Sequence, residues 1–312
     1  MSAIGAFGVT LLLASCGSTK PYLITSGSEN LQALTKVTDN SGQIVSRIGV
    51  SPNSPTIFLA VWDGGAQNIY KKDNPTSASL SQITSGNINC SFPAYNPATD
   101  RLAFNYRTRY NDYNWTKADI YTLGFNNVNA LSPVTQSSTI EEYSPSFTPD
   151  GNIICYQSKD GDAGEIWTKN IKTNETTLLG RGMQPMISPD GKKIVFSRYK
   201  TSANDSPSSI WIMNIDGTDV IELINNPNQR MFAPSWSPDG SKIVFQAASK
   251  KGSKYNTSDI FMINSDGSSL TQLTTNDSND TLPVWSYDGY IYFISDRGSK
   301  PGDNQAWRFR AN

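Results

Sequence analysis

The chain contains no histidine. That single absence removes any Ser-His-Asp triad, any histidine-ligated metal site and any histidine general base. Carboxylate, lysine and tyrosine chemistry remain open. An excess of either charge is also missing. Twenty-six Lys and Arg stand against 27 Asp and Glu, for a net charge of −1 and a pI of about 5.6. No basic block stands out, so nucleic acid is not an expected partner. Cysteine is scarce, with three residues, Cys16, Cys90 and Cys155. The apolar stretch from Ala3 to Leu13 is too short to span a bilayer.

That stretch ends in Leu13-Ala14-Ser15-Cys16-Gly17. A short apolar run closed by small residues reads as the h-region of a secretory signal. No Lys or Arg precedes Cys16. Leu-Ala-Ser-Cys resembles a bacterial lipobox, which implies cleavage before Cys16 and acylation of its thiol and amino group. Residues 1–15 then form a lipoprotein signal peptide and 16–30 an anchor and linker, with the membrane engaged through lipidated Cys16. Several acyl chains on one cysteine give stable anchoring. Cys90 and Cys155 would remain. Two cysteines can pair in an oxidising compartment. Cys155 falls in the strand after a turn and Cys90 in a loop of another unit, so the expectation is two free thiols.

What the chain does have is one phrase, repeated six times. Ser237-Pro238-Asp239-Gly240 precedes Ile243-Val244-Phe245. Ser188-Pro189-Asp190-Gly191 precedes Ile194-Val195-Phe196. Thr148-Pro149-Asp150-Gly151 precedes Ile153-Ile154-Cys155-Tyr156. Weaker copies are Ser51-Pro52-Asn53, Asn96-Pro97 and Ser286-Tyr287-Asp288-Gly289. A spacing of roughly 40–50 residues means a propeller or a solenoid. Proline pre-sets φ at the second turn position, Asp bonds nearby backbone, and Gly tolerates positive φ at the exit. The β-branched and aromatic run after each turn suits a strand covered on both faces.

A short strand precedes each turn. A third follows each hairpin, as in Asp119-Ile120-Tyr121, Glu165-Ile166-Trp167 and Asp259-Ile260-Phe261. A fourth is centred on Ile83, Val134, Leu179, Leu223 and Leu273 in five units. The sixth unit runs out at Trp307-Arg308-Phe309. Leu31-Gln32-Ala33-Leu34-Thr35 reads like Leu270-Thr271-Gln272-Leu273-Thr274. The expected fold is therefore all-β: a six-bladed β-propeller of four-stranded antiparallel blades over residues 31–312, closed by the N-terminal strand so that two sheet edges are hidden.

The pattern Pro-x-Trp-Ser-Pro-Asp-Gly-x-x-Ile-x-Phe, then Asp-Ile-Tyr, then Leu-Thr, resembles the TolB-type propeller repeat, a WD-like repeat of bacterial periplasmic proteins. The resemblance covers residues 31 to 310 and corresponds to the propeller half of those proteins. It implies a protein of the cell envelope, on its periplasmic side, with a role in envelope integrity; the Leu13–Cys16 motif adds the expectation of a lipid anchor, and the missing histidine that of a non-enzymatic binding role.

Function on a propeller sits in the loops of its faces. The residues expected to ring the channel mouth are Arg47, Ser91, Tyr143, Met183, Phe232 and Thr281, with Glu141, Glu142, Arg230 and Asp280 nearby. Mixed charge and aromatics suit a partner protein or a cell-wall-associated component better than a phosphate or metal. The segment Arg107–Trp115 is expected to be an exposed loop. Its Arg107, Arg109, Tyr110, Tyr113 and Trp115 are of the types enriched at interface hot spots. No catalytic residue, cofactor or metal is expected, and a small-molecule ligand is not expected. Asp160-Gly161-Asp162-Ala163-Gly164-Glu165 lacks the spacing of a calcium loop, and Glu165 aligns with Asp119 and Asp259 as a blade position. The alternative is a carbohydrate-binding or polysaccharide-processing propeller. Related lyases use histidines that this chain does not have.

Overall fold

A computed structural model of the chain describes residues 31–311, apart from 39–42, 63, 112–113, 126–129, 138, 160–163, 202–205 and 252–253; the side chains of 109–115 and 250–256 are not described. Among the described residues there are 25 strands and no helix. Twenty-four of them fall into antiparallel arrays of four, and the short Asn114–Trp115 pairs with a strand of the second array. The first is Ile44–Val50, Ile57–Trp62, Gln67–Lys72 and Ser81–Gln82. The second is Ile88–Asn96, Arg101–Asn111, Asp119–Gly124 and Leu131–Pro133, joined to the first by one parallel bridge, Gln67 to Asn89. The third is Glu141–Phe147, Ile153–Lys159, Glu165–Asn170 and Thr176–Arg181. The fourth is Met183–Ile187, Lys193–Tyr199, Ser208–Asn214 and Ile221–Ile224, and the fifth Gln229–Trp236, Lys242–Lys251, Lys254–Asn264 and Thr271–Gln272. The sixth is Thr281–Trp285, Tyr290–Ser295 and Gln305–Arg310, to which Gln32–Lys36 adds as the fourth strand.

The repeated phrase makes the turn between first and second strands. Gly151 N donates to Thr148 O at 2.8 Å, and Gly191, Gly240 and Gly289 close the same turn on Ser188, Ser237 and Ser286. All four glycines have φ between 70° and 83°. At Gly151 a Cβ would come within 2.6 Å of Thr99, so the position needs glycine for space as well as for φ. The turn's Ser or Thr hydroxyl donates to the Asp carboxylate, at 2.6 Å in Thr148–Asp150, Ser188–Asp190 and Ser237–Asp239. It also accepts the N–H that opens the next strand, as in Ile153, Lys193 and Lys242. These bonds hold the Asp150, Asp190 and Asp239 carboxyls below their ordinary values.

Second strands are buried on both faces, from Ile57 to Val61 and from Ile291 to Ser295. Their side chains fill apolar clusters between neighbouring arrays. Phe58 and Ile69 meet Leu102 and Phe104. Ala103 and Ile120 meet Ile154 and Tyr156. Cys155 and Ile166 meet Ile194 and Phe196. Val195 and Ile212 meet Trp236 and Phe245. Val244 and Ile260 meet Ile291 and Phe293. A sixth cluster returns to the start, packing Tyr292, Ile294 and Ala306 against Val37, Ile57 and Leu59. Cys90 and Cys155 lie in this core as free, buried thiols, and burial pushes Cys90 up to about 12. Cys90 is in a first strand rather than in a loop.

The third and fourth strands are tied by one threonine. Thr84, Thr135 and Thr274 Oγ1 accept the N–H of Ile69, Ile120 and Ile260 at 2.8–2.9 Å. In the sixth array Thr38 Oγ1 accepts Ala306 N at 3.1 Å. This corrects the expected register of the N-terminal strand. Lys36 stands opposite Trp307 as Gln272 stands opposite Phe261. The counterpart of Gln272-Leu273-Thr274 is therefore Lys36-Val37-Thr38, three residues later than the likeness of Leu31–Thr35 suggests. The threonine bond, rather than the leucine spacing, sets the register.

Candidate functional site

The six first strands converge on one cavity of about 560 Å³. At the turn end its wall is Pro52, Pro97, Pro149, Pro189, Pro238 and Tyr287. Deeper in lie Tyr95, Phe147, Trp236 and Trp285, with Gly49, Ala94, Ser146, Met186, Ser235 and Val284 between them. The far layer is Arg47, Phe92, Ser144, Gln184, Ala233 and Leu282. Ten prolines line the space, and proline offers no N–H donor. Arg47 is the one charged side chain of the wall among the described residues.

The far layer owes its shape to a bulge. Each first strand shifts register there, for example between Tyr143 and Ser146 and between Phe232 and Ser235. Phe92, Ser144, Gln184, Ala233 and Leu282 have φ of 51–54° and each precedes a proline. Such backbone is strained and persists only where surroundings hold it. Glutamines of the adjoining arrays capture the exposed N–H groups. Gln157 Oε1 accepts Gln184 N at 3.1 Å, Gln184 Oε1 accepts Ala233 N at 2.8 Å, and Gln246 Oε1 accepts Leu282 N at 2.7 Å.

A linked cluster spans the first three arrays beside this layer. Arg47 Cζ stacks 4.2 Å from the Phe92 ring centre, and Phe92 packs on Tyr143 at 6.1 Å. Tyr143 Oη accepts from Arg107 Nη2 at 2.7 Å and donates to Glu141 Oε2 at 2.6 Å. Arg107 Nη2 lies 3.3 Å from Glu141 Oε1. Burial pushes the Tyr143 hydroxyl up to about 12 and the Arg47 guanidinium down to about 10. Next to the cluster, buried Glu142 faces Asp119 across the second and third arrays. Burial, reinforced by the Asp119 charge, raises Glu142 to about 7, and burial raises Asp119 as well.

The expected mouth residues lie inside first strands, not in loops before them. Arg47 lines the cavity. Tyr143, Met183, Phe232 and Thr281 stand one residue short of the wall, which falls on Ser144, Gln184, Ala233 and Leu282, because the bulge adds a residue to the strand. Ser91 likewise precedes Phe92, and its hydroxyl donates to Asn105 Oδ1. Phe232 packs on Tyr199 at 5.6 Å, and Thr281 Oγ1 donates to Ile294 O at 3.4 Å. Arg230 Nε reaches Ser206 O at 3.4 Å. Asp280 is fully buried and paired with Arg297 Nη2 at 2.6 Å. The repeated residue-proline pair, Phe92-Pro93 through Leu282-Pro283, was the signal for the wall.

The Arg107–Trp115 segment is also corrected. It is a strand hairpin, Arg101–Asn111 paired with Asn114–Trp115, rather than a loop. Arg107 turns back to Tyr143 and Glu141. Tyr113 and the side chains of Arg109, Tyr110 and Trp115 lie outside the described residues, as do Cys16 and most of the Asp160–Glu165 segment. Glu165 itself sits in a third strand and accepts Trp167 Nε1 at 3.1 Å. Among the described residues no group of three or more Cys, Asp or Glu is placed to hold a metal ion.

Four-stranded arrays packed face to face around a shared cavity define a β-propeller. Residues 181–312 match the TolB beta propeller domain model. The Tol-Pal system protein TolB of Francisella tularensis subsp. holarctica is 26% identical over 200 residues, covering 48% of this chain and 45% of that protein. The chain thus spans about half the length of the curated relatives it matches. A solved protein of Agrobacterium tumefaciens, described as a TolB, superposes with a TM-score of 0.64 at 19% identity, over 87% of this chain and 92% of that one. An oligogalacturonate lyase from Vibrio parahaemolyticus superposes with a TM-score of 0.58 at 12% identity, over 89% and 93%. The chain carries a TolB-like propeller.

Proposed function

We propose that this chain is a non-enzymatic binding module of a bacterial cell envelope. In this reading its arrays form a six-bladed ring, residues 31–312, closed by Gln32–Lys36. Cys16 carries the lipid anchor after removal of residues 1–15, and the propeller faces the periplasm. A partner protein docks on the face that bears Arg47, Phe92, Tyr143 and Arg107, beside the 107–115 hairpin. The return of the last apolar cluster to the first array supports the ring. Similarity to Tol-Pal system proteins supports the envelope.

The observation that carries the docking face is the Arg47–Phe92–Tyr143–Arg107 chain of contacts. It holds two arginines and two aromatics in fixed geometry at one end of the cavity. Such side chains contribute large contact area at low entropic cost when held in place. The 107–115 hairpin leaves the second array at the same end, since Arg107 stands opposite Asn89 near the start of a first strand.

The test is crosslinking of the anchored protein in intact cells, with partners quantified by mass spectrometry. Replacing Tyr110, Tyr113 and Trp115 by Ala should weaken capture of the main crosslinked protein by about 2 kcal/mol if one is a hot spot. Arg107→Ala should act in the same direction. Undiminished capture by a folded variant would sink the face assignment. Turnover of an oligogalacturonide or a peptide by purified protein would overturn the non-enzymatic reading.

A further inference from the structure

The cavity carries a second inference, which shares Arg47 and Phe92 with the proposed docking face. Its volume of about 560 Å³ lies in the range of small-ligand pockets. Its wall is aromatic, aliphatic and proline-rich. Into this wall one charged side chain is placed among the described residues, that of Arg47. Arg47 Nη1 donates only backward, to Ser46 O at 2.7 Å. No described carboxylate pairs with Arg47, and its lowered pKa has burial as its cause.

A charge set in an apolar wall with no opposite charge beside it is costly, and a ligand of opposite charge offsets that cost. Stacking on Phe92 fixes the guanidinium plane. A planar guanidinium edge matches a carboxylate. The rest of the wall offers apolar and aromatic surface, including Trp236 and Trp285.

We propose that the central cavity is a binding site for a small monocarboxylate with an apolar body, its carboxylate held by Arg47 and its body among Tyr95, Trp236 and Trp285. This departs from the sequence-based expectation of no small-molecule ligand. A single positive group selects one negative charge. A dicarboxylate or phosphate would bring charge that the wall does not balance.

The experiment titrates the full chain with 4-phenylbutyrate, decanoate and their neutral primary amides. Calorimetry gives affinity, and Trp236 and Trp285 fluorescence reports occupancy. The carboxylates are expected to bind at least ten-fold more tightly than the amides. Arg47→Gln should erase that preference while leaving residual apolar binding. Arg47→Lys should retain only part of it. Should Arg47→Gln fail to fold, the wild-type carboxylate-to-amide ratio and the Arg47→Lys variant still decide. Equal affinity for acid and amide, or no saturation by any probe up to millimolar concentration, overturns the proposal. So does a carboxylate preference that survives in folded Arg47→Gln. Binding of an apolar peptide through its C-terminal carboxylate, with no response to the free acids, also counts against it.

Discussion

Thr38 Oγ1 donates to Gln305 Oε1 at 2.8 Å while accepting Ala306 N at 3.1 Å, joining residues 267 positions apart. The same arrangement occurs locally in the fifth array, where Thr274 Oγ1 accepts Ile260 N and donates to Asp259 Oδ1 at 3.2 Å. Gln305 Nε2 also reaches Gln43 O at 3.0 Å, and Val37 N donates to Ala306 O at 2.8 Å. The segment after Gln32–Lys36 is therefore tied to Gln305–Arg310 by the device that elsewhere joins neighbouring strands.

Thr38→Val removes the hydroxyl and leaves a buried Ala306 N–H without its partner. A loss of about 1–3 kcal/mol is expected, read as a lower urea midpoint. Removing residues 17–38 should go further, exposing the edge of Gln305–Arg310 and causing aggregation in light scattering. An unchanged midpoint in Thr38→Val, with a monomeric truncation, would show that the N-terminal strand does not hold the ring.

Asp280 is wholly buried against Arg297, which stacks 4.9 Å from Phe293 and 5.7 Å from Trp307. Ser295 and Asn276 complete the carboxylate's bonds at 2.5 and 2.9 Å. Breaking one partner leaves an uncompensated charge, so Arg297→Met should cost about 3–5 kcal/mol. The double variant Asp280→Leu with Arg297→Met should recover part of that loss. Thermal unfolding of the three proteins measures the coupling.

Glu142 should make stability depend on pH. Its folded value, raised from 4.5 to about 7, means that the folded chain keeps a proton the unfolded chain has released. The contribution of this one group to stability is full below the ordinary glutamate range and is lost as pH rises from 4.5 towards 7. Glu142→Gln should flatten that decline, with a difference on the order of 1 kcal/mol between pH 5 and pH 8. Urea titrations at the two pH values test it. Parallel profiles in the variant and wild type would mean that the Asp119–Glu142 pair does not titrate there.

Cys16→Ser should abolish incorporation of a labelled fatty acid and shift the protein from the membrane to the soluble fraction. The motivating feature is Leu13-Ala14-Ser15-Cys16. Absence of label in the wild-type chain would remove the anchor from the proposal.

Much was legible from residue order because it rests on local rules. Ser-Pro-Asp-Gly forms its turn from bonds within six residues, and the apolar runs after it need cover on both faces whatever lies beyond. That Cys90 and Cys155 stay unpaired followed from placing them in different units, whereas the burial of Cys90 in a first strand did not. Three matters needed the folded molecule. The register of Gln32–Lys36 depended on Thr38 meeting Ala306 from the far end of the chain. The cavity wall fell one residue beyond the expected one because a bulge at Phe92, Ser144, Gln184, Ala233 and Leu282 shifts the ladder. Arg107 turned inward because Tyr143 and Glu141 of the next array receive it.

By itself the sequence determined the turns, the strand order within each unit and the loss of histidine chemistry, since these depend on neighbours a few positions away. Only the tertiary structure decided where the cavity wall falls, which charge it carries and how the ends join. Those features arise between units, where contacting residues such as Gln157 and Gln184, or Thr38 and Ala306, are 27 and 268 positions apart, and no local pattern encodes which side chain a strained N–H or a buried guanidinium will meet.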